Sequence, residues 1–340
     1  MSVDLNPYLG AVPDAVVERL SKARRVLAVG HENPDADTLG ATLAIGHLVD
    51  ARGGRADLVC TDPVPRLYDF LDGVERFRTD PDPAAAYDLL VISDCGSLDR
   101  IGAVRGRHQA LFDRLPRVVL DHHASNDDDG GAADWIDPDA AATCEMATLL
   151  AARMRVPLDA AGGALATALM AGIVMDTATF AHPNATPRTL VVSAALVTAG
   201  APLSDISRRL YRSKPDRQLR LFGRILGRLE TSDDGRVVWS TLLDADREAT
   251  GTDVEHSEGI IDLLSQSETA EVAILFKEAP EGTRLSVRTK AGGVDATVLT
   301  GRFGGGGHAR AAGASLAVPP DAARADVLAE AARLAAAVDR

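Results

Sequence analysis

Four short apolar runs punctuate the first half of the chain: Val26-Leu27-Ala28-Val29, Ala56–Cys60, Asp88-Leu89-Leu90-Val91-Ile92-Ser93 and Arg117-Val118-Val119-Leu120. Runs of this length and composition form strands covered on both faces. The stretch after the first run, Thr38–Arg52, has the pattern of a helix, with Asp37 as its N-cap and Gly53-Gly54 as its stop. Strands alternating with helical stretches predict an α/β domain on a doubly wound parallel sheet. Residues 1–25 read as a helical lead-in and Val64–Leu71 as a short helix. Two apolar helices are expected at about 143–155 and 159–175, and another after Pro187. The polar loop Asn126–Asp139 reads as a surface excursion, with Asp127–Asp129 solvated.

The pattern changes after residue 201. From Pro202 to Leu229 it is helical and basic, which predicts a connector whose arginines form a solvated face. Val237–Leu242, Ala270–Phe276 and Arg284–Arg288 read as strands, and a long helix starts near Pro320. The expected organisation is an α/β domain over 1–201, a helical connector over 202–229, and a smaller α+β domain over 230–340. A chain of 340 residues can hold two cores. No apolar run reaches the length of a membrane span, and the N-terminus lacks the basic flank and apolar core of a signal peptide. Cys60, Cys95 and Cys144 suggest no disulfide framework, so a cytoplasmic protein with no membrane partner is expected. The net charge of −13 argues against a broad grip on long nucleic acid. An anionic substrate would have to be small, held by a local basic patch or by bound cations.

The polar positions that end the strands carry the candidate chemistry. His31, Asp35 and Asp37 follow the first run, Asp94 follows the third directly, and Asp121-His122-His123 follow the fourth directly. Asp176 ends the second apolar helix. Taken singly, each has a plain alternative: a polar turn, a helix cap, a core histidine. Three strands that deliver such groups to one sheet edge converge where α/β proteins bind ligands. The set is rich in carboxylates, has imidazoles and lacks thiolates. That suits manganese or magnesium, with manganese favoured by the imidazoles. Two such ions roughly 3.5–4 Å apart can activate a bridging water and clamp a phosphoryl group. Farther on, the run Gly304–Gly307 allows close backbone approach and amides aimed at phosphate oxygens, though alone it could be a flexible turn.

HENPDAD (31–37), SDCG (93–96), DHHASN (121–126) and VMDT (174–177) resemble, in order, the four motifs of the DHH phosphoesterase superfamily. GGGGHARAAGA (304–314) resembles the glycine-rich signature of the DHH-associated C-terminal domain. Length and the lack of further modules are most similar to the NrnA group of nanoRNases and pAp phosphatases, some of whose relatives hydrolyse cyclic di-AMP and pApA. The resemblance implies two manganese ions, replaceable by magnesium or cobalt. His31, Asp35 and Asp94 would hold one; Asp37, Asp94, His122 and Asp176 would hold the other, with Asp94 bridging. It assigns His123 to the scissile phosphate and Asp121 to orienting the histidines. Asn126, Arg288, Lys290, Gly305, Gly306, Gly307, His308 and Arg310 are its candidate substrate contacts. Expected substrates are di- to pentanucleotides, pApA, pAp and cyclic di-AMP, attacked by a metal-bridging hydroxide in a cleft between the domains. The proton donor to the leaving oxygen is left open between His308 and water. A homodimer is expected on the same ground. Ala178, Ala181 and His182 depart from the glycine, arginine and aromatic residues common in the group, which bears on substrate preference. Three other readings remain. A manganese inorganic pyrophosphatase would lack the glycine signature. A RecJ-like exonuclease would need more length and a basic channel. A nucleotide-sensing module would have a degenerate metal site.

Overall fold

The computed structural model describes residues 3–124, 126 and 133–338. The chain forms two compact units, Met1–Ser213 and Lys214–Arg340.

The first unit runs α1 (Asp14–Lys22), β1 (Arg25–Val29), α2 (Ala36–Asp50), β2 (Arg55–Val59), β3 (Phe77–Arg78), β4 (Leu89–Ser93), α3 (Ala103–Arg107), α4 (Gln109–Arg114), β5 (Arg117–Asp121), β6 (Trp135–Ile136), α5 (Thr143–Arg153), α6 (Ala164–Asp176), α7 (Pro187–Thr198) and α8 (Leu203–Tyr211). Its six strands are all parallel, in the order β3-β2-β1-β4-β5-β6. The central strands β1, β4 and β5 are apolar through their middles because successive side chains enter different cores. Val26 and Ala28 pack with α2, α5 and α6, while Leu27 and Val29 pack with Ile101, Val104 and Phe112 on the other face. The strand order reverses between β1 and β4, and a ligand site is expected outside the carboxyl ends at such a point.

Local differences from the sequence reading have physical causes. Helix α2 starts two residues before Thr38, because Asp35 and not Asp37 is the N-cap: Asp35 Oδ1 accepts from the amides of Asp37 and Thr38, both at 3.0 Å. Only Arg66–Tyr68 of the stretch 64–71 is helical, as a single 3-10 turn. The apolar helix expected from 159 begins at Ala164, after left-handed residues at Ala161 and Gly162. A two-residue edge strand, Trp135–Ile136, interrupts the expected excursion 126–139 and pairs with β5. Asp127–Asp129 lie outside the described residues. Among the described residues no single helix is long and apolar enough to cross a membrane.

The second unit runs α9 (Asp216–Leu226), β7 (Glu230–Thr231), β8 (Val237–Leu242), α10 (Asp244–Thr250), α11 (Ile260–Leu264), β9 (Val272–Ala279), β10 (Gly282–Thr289), α12 (Ala296–Gly301), β11 (Gly306–His308), β12 (Ala311–Leu316) and α13 (Pro320–Ala337). Its mixed sheet has the order β11-β12-β10-β9-β8-β7, with β8 and β9 the parallel pair. Residues 202–229 are no separate connector. Helix α8 buries Ile206 and Leu210 in the core of the first unit, and α9 buries Leu221, Phe222 and Ile225 in a core of the second.

The glycine run, expected as a loop, forms a β-hairpin. Gly306, Gly307 and His308 pair with Gly313, Ala312 and Ala311. Close strand approach explains the glycines: a Cβ on Gly305 would lie 2.1 Å from the Gly313 carbonyl, and Gly307 has φ +140°. The amides of Gly304 and Gly305 are already bonded to the carbonyls of Gly301 and Thr300.

Candidate metal centre

The loops that leave β1, β4 and β5 and the last turn of α6 bring six side chains together. One group is His31, Asp35 and Asp94, and another is Asp37, His122 and Asp176. In each, the ligand atoms lie within 4.8 Å of one another. Asp94 touches both. Its Oδ2 is 3.8 Å from His31 Nε2, and its Oδ1 is 3.6 Å from His122 Nε2. His122 Nε2 is also 3.1 Å from Asp176 Oδ2 and 4.0 Å from Asp37 Oδ2. Asp35 Oδ2, the oxygen its capping role leaves over, is 3.8 Å from His31 Nε2.

Five of these six side chains, all but Asp176, are held by a second contact. His31 Nδ1 donates to the Glu32 carbonyl at 2.6 Å, and His122 Nδ1 to the Ala140 carbonyl at 3.3 Å. Both rings therefore present Nε2 to the carboxylates, the arrangement metal-binding histidines need. Asp37 is fully buried, and its two oxygens accept from the amides of Thr143 and Cys144 at 2.7 and 2.8 Å. Those amides are the unsatisfied donors at the start of α5, where an anion is favoured. Thr38 Oγ1 and Thr143 Oγ1 donate to the two oxygens of Asp94. Asp94 itself has φ +61°, a strained backbone for a non-glycine residue, fixed in part by the bond from its amide to Leu120 O. Gly172 on α6 admits Asp37: a Cβ there would lie 2.5 Å from Asp37 Oδ1.

The donor chemistry fits a divalent cation. Burial, then repulsion from Asp176, pushes the Asp37 carboxyl up to about 7, and burial raises Asp176 to about 6. Asp94 is driven upward by burial and by Asp37 and Asp35. Burial opposes charge on His122, yet the bond to Asp176 and the nearby carboxylates hold it up at about 10. A field that draws protons onto these groups also draws in a cation, which replaces those protons.

His123 and Asp121 form an adjoining arm. The fully buried Asp121 accepts from His123 Nδ1 at 2.7 Å, from the Gly96 amide at 2.8 Å and from Asn126 Nδ2. Asp121 thus orients His123 alone, since His122 is set by Ala140. The Asn126 amide nitrogen is committed to supporting Asp121.

Departures in the fourth motif also have a structural basis. Ala178, Thr179 and Phe180 are three successive left-handed residues, with φ of 46°, 58° and 63°. The turn is held by Thr177 Oγ1, which accepts from Phe180 N, and by the amides of Ala181 and His182 on Thr177 O. His182 Nδ1 lies 3.1 Å from the Asp176 carbonyl, and Asn184 Nδ2 bridges that carbonyl to Ala141 O.

Arg100 had no signal in motif spacing. Its carbonyl accepts from Glu32 N at 2.7 Å. Its guanidinium flanks Gly96 together with His123: a Cβ on Gly96 would lie 3.6 Å from Arg100 Nη1 and 3.3 Å from His123 Cγ. Only the fold brings this cation beside the arm.

The remaining candidates lie on the second unit. Arg288, Ala311 and His308 form one row across β10, β12 and β11. Arg288 Nε donates to Asp262 at 2.9 Å, and His308 is exposed. Lys290 Nζ donates to the carbonyls of Ser267 and Glu268, both at 2.7 Å, and Arg310 bonds the Lys290 carbonyl. These last two cations brace the hairpin and its neighbouring turn.

Comparison with known proteins decides the family. Residues 25–173 match the DHH family, N-terminal domain, and residues 234–337 match the DHHA1 domain. The chain belongs to the DHH family. As a DHH-family protein it is an enzyme of the phosphoesterase class. A bifunctional oligoribonuclease and PAP phosphatase NrnA of Thermus thermophilus is 30% identical over 286 residues, which cover 84% of this chain and 82% of that protein. The NrnA of Bacillus subtilis is 24% identical, covering 88% and 92%. A cyclic-di-AMP phosphodiesterase, PdeA, of Listeria monocytogenes is 24% identical over 87% of this chain, but the match spans 45% of that longer protein. A crystal structure of an exopolyphosphatase-related protein from Bacteroides fragilis has the same fold, with TM-score 0.87 at 19% identity, covering 97% of this chain and 99% of that one.

Proposed function

We propose that this DHH-family enzyme hydrolyses short nucleotide substrates: di- to pentanucleotides, pApA and cyclic di-AMP at a phosphodiester, and pAp at its 3′-phosphate. One observation carries this reading: the buried Asp94 carboxylate faces two histidine–carboxylate groups at once, as a bridging ligand must. NrnA-named relatives covering most of the chain, called oligoribonucleases and PAP phosphatases, support the oligonucleotide and pAp part of this reading. His31, Asp35 and Asp94 would hold one cation, and Asp37, Asp94, His122 and Asp176 the other. Bound there, two divalent ions supply Lewis-acid polarisation of the phosphate and activation of a water. The mixed carboxylate and imidazole set favours manganese, with magnesium or cobalt as substitutes.

The protein's own groups do the rest. Asp121 accepts the Nδ1–H of His123 and so aims the Nε2 side of the ring outward; the imidazolium form of the ring would donate its Nε2–H to a phosphoryl oxygen. Arg100, beside His123, offers a forked donor to the same phosphate. Arg288 and His308 of the second unit bind the nucleotide beyond the reacting group. A cytoplasmic location, on the cysteine usage, and a homodimer, on the family resemblance, belong to this reading.

Turnover of pApA, pAp and a trinucleotide by the full chain, with and without EDTA, tests it. Chelation abolishes turnover and manganese restores it better than calcium. Undiminished turnover in metal-free protein, or no turnover of any nucleotide with manganese, overturns it.

A further inference from the structure

The two faces of the second unit's sheet are covered unequally. On one face α12 and α13 bury Leu285, Val287, Ala312 and Ala314. On the other, α9 and α11 cover β8 and β9 by packing on Val238, Leu242, Ala273 and Leu275. Past β9 that face is half-buried to exposed, and α11 reaches it through the Asp262–Arg288 ion pair. The rows of this face are Ser286–Gly313–Gly306 and, at one end, Arg288–Ala311–His308. Arg284 pairs with Ser315 at the other end and with Lys277 across β9. Alternation puts residues 273, 275 and 277 on one face, so Lys277 stands where the covered half stops. The result is a shelf with a floor of glycine, alanine and serine and cations at both ends.

The Lys277 end is short of negative charge. Lys277 is half-buried, and among the described residues its ammonium makes no hydrogen bond or ion pair. The exposed Arg284 guanidinium makes none either. Arg247 is near, but it is tied to the Glu278 carbonyl at 3.1 Å and ion-paired with Asp244, which leaves Lys277 and Arg284 as the uncompensated pair. Burial, then Arg284, Arg288 and Arg247, lowers the Lys277 pKa, with Glu258 the opposing carboxylate. Holding several cations around a half-buried ammonium costs free energy unless an anion visits.

We propose that Lys277 and Arg284 form a second anion subsite, which takes a backbone phosphate of an oligonucleotide lying along this shelf from the Arg288–His308 row. It rests on the nucleotide phosphoesterase reading above. Four strand residues separate the two rows, about 14 Å along the sheet. That exceeds the single sugar between the two phosphates of pAp, so the subsite selects oligonucleotides over bisphosphorylated mononucleotides.

Lys277→Met and the exposed Arg284→Gln in the full chain test this, each compared with wild type by two measurements. The first is KM for pApApA relative to KM for pAp, with manganese. That ratio rises about tenfold in each variant, the effect of one ionic contact. The second is the anisotropy of labelled single-stranded A5 RNA in EDTA over a salt series. The slope of log Kd against log salt becomes shallower by about 0.7 for the phosphate contact removed. A wild-type ratio or a wild-type slope in both variants overturns the subsite, as do KM values for both substrates that rise together. A wild type that hydrolyses neither substrate overturns the phosphoesterase reading instead, and the salt slope then decides the subsite alone.

Discussion

The metal centre and the glycine hairpin both arise from short motifs, yet they are built on different terms. In the centre every ligand is buried or half-buried, and all but Asp176 are held by a second contact. Asp37 sits on the first amides of α5, Asp94 between two threonine hydroxyls, and each histidine on a backbone carbonyl. Such groups are placed before any ion arrives, and the low dielectric makes each one matter. On the hairpin, His308 is exposed, Arg288 shares an ion pair with Asp262, and Lys290 and Arg310 are spent on carbonyls. Motifs of similar distinctness thus specify a rigid, coupled centre in one unit and a solvated shelf in the other. A substitution in the first should cost activity through the whole group. One on the second should cost only its own contact.

Asp94→Ala tests that difference most severely. Because this carboxylate faces both groups, its loss should lower kcat by at least about a thousandfold, several kcal/mol of charge stabilisation. Elemental analysis should find less than the wild-type metal content. Retention of full metal with near-normal turnover would remove the bridging role. Next in size is Gly172→Ala, which touches no substrate. The added methyl meets Asp37 Oδ1 and Cys144 Sγ, so the carboxylate or α6 must shift. Metal affinity should fall about tenfold to hundredfold, as when an outer support of a ligand is lost. Titration of the apo-protein with manganese measures it, and unchanged affinity would mean that the centre tolerates displacement.

The smallest effects separate the regions most cleanly. Arg100→Ala should lower kcat about tenfold on nucleotides and on the small ester bis-p-nitrophenyl phosphate alike, since its guanidinium lies beside His123. Arg288→Ala should raise KM for nucleotides by about the same factor and leave the small ester untouched. If Arg288→Ala slows the small ester too, the two regions act as one site and the contrast fails.

Much of the centre was legible in the chain. The middles of β1, β4 and β5 are apolar because both faces are covered, so the polar groups that follow stand out: His31 after Gly30, Asp94 after Ser93, Asp121 and His122 after Leu120. Parallel strands put those ends on one edge, and that edge is fixed by the period of the pattern. The cap of α2 was misplaced by two residues because Asp35 and Asp37 are both good caps by type. Only packing shows that Asp37 is taken by α5. The edge strand Trp135–Ile136 and the hairpin after Gly305 escaped because they are two or three residues long or lack side chains. Periodicity has nothing to act on there.

The local order of apolar and polar positions is enough to fix most element types, the doubly wound sheet and the residues able to bind a cation. Tertiary structure alone decided which partner each side chain took. It set Arg100 beside His123, gave Asn126 to Asp121, bound Lys290 and Arg310 to carbonyls, and left Lys277 without a partner among the described residues, at the edge of a partly covered face. Apart from the Asn126–Asp121 bond, those outcomes depend on contacts between residues far apart in the chain, and no spacing along one strand or helix encodes them.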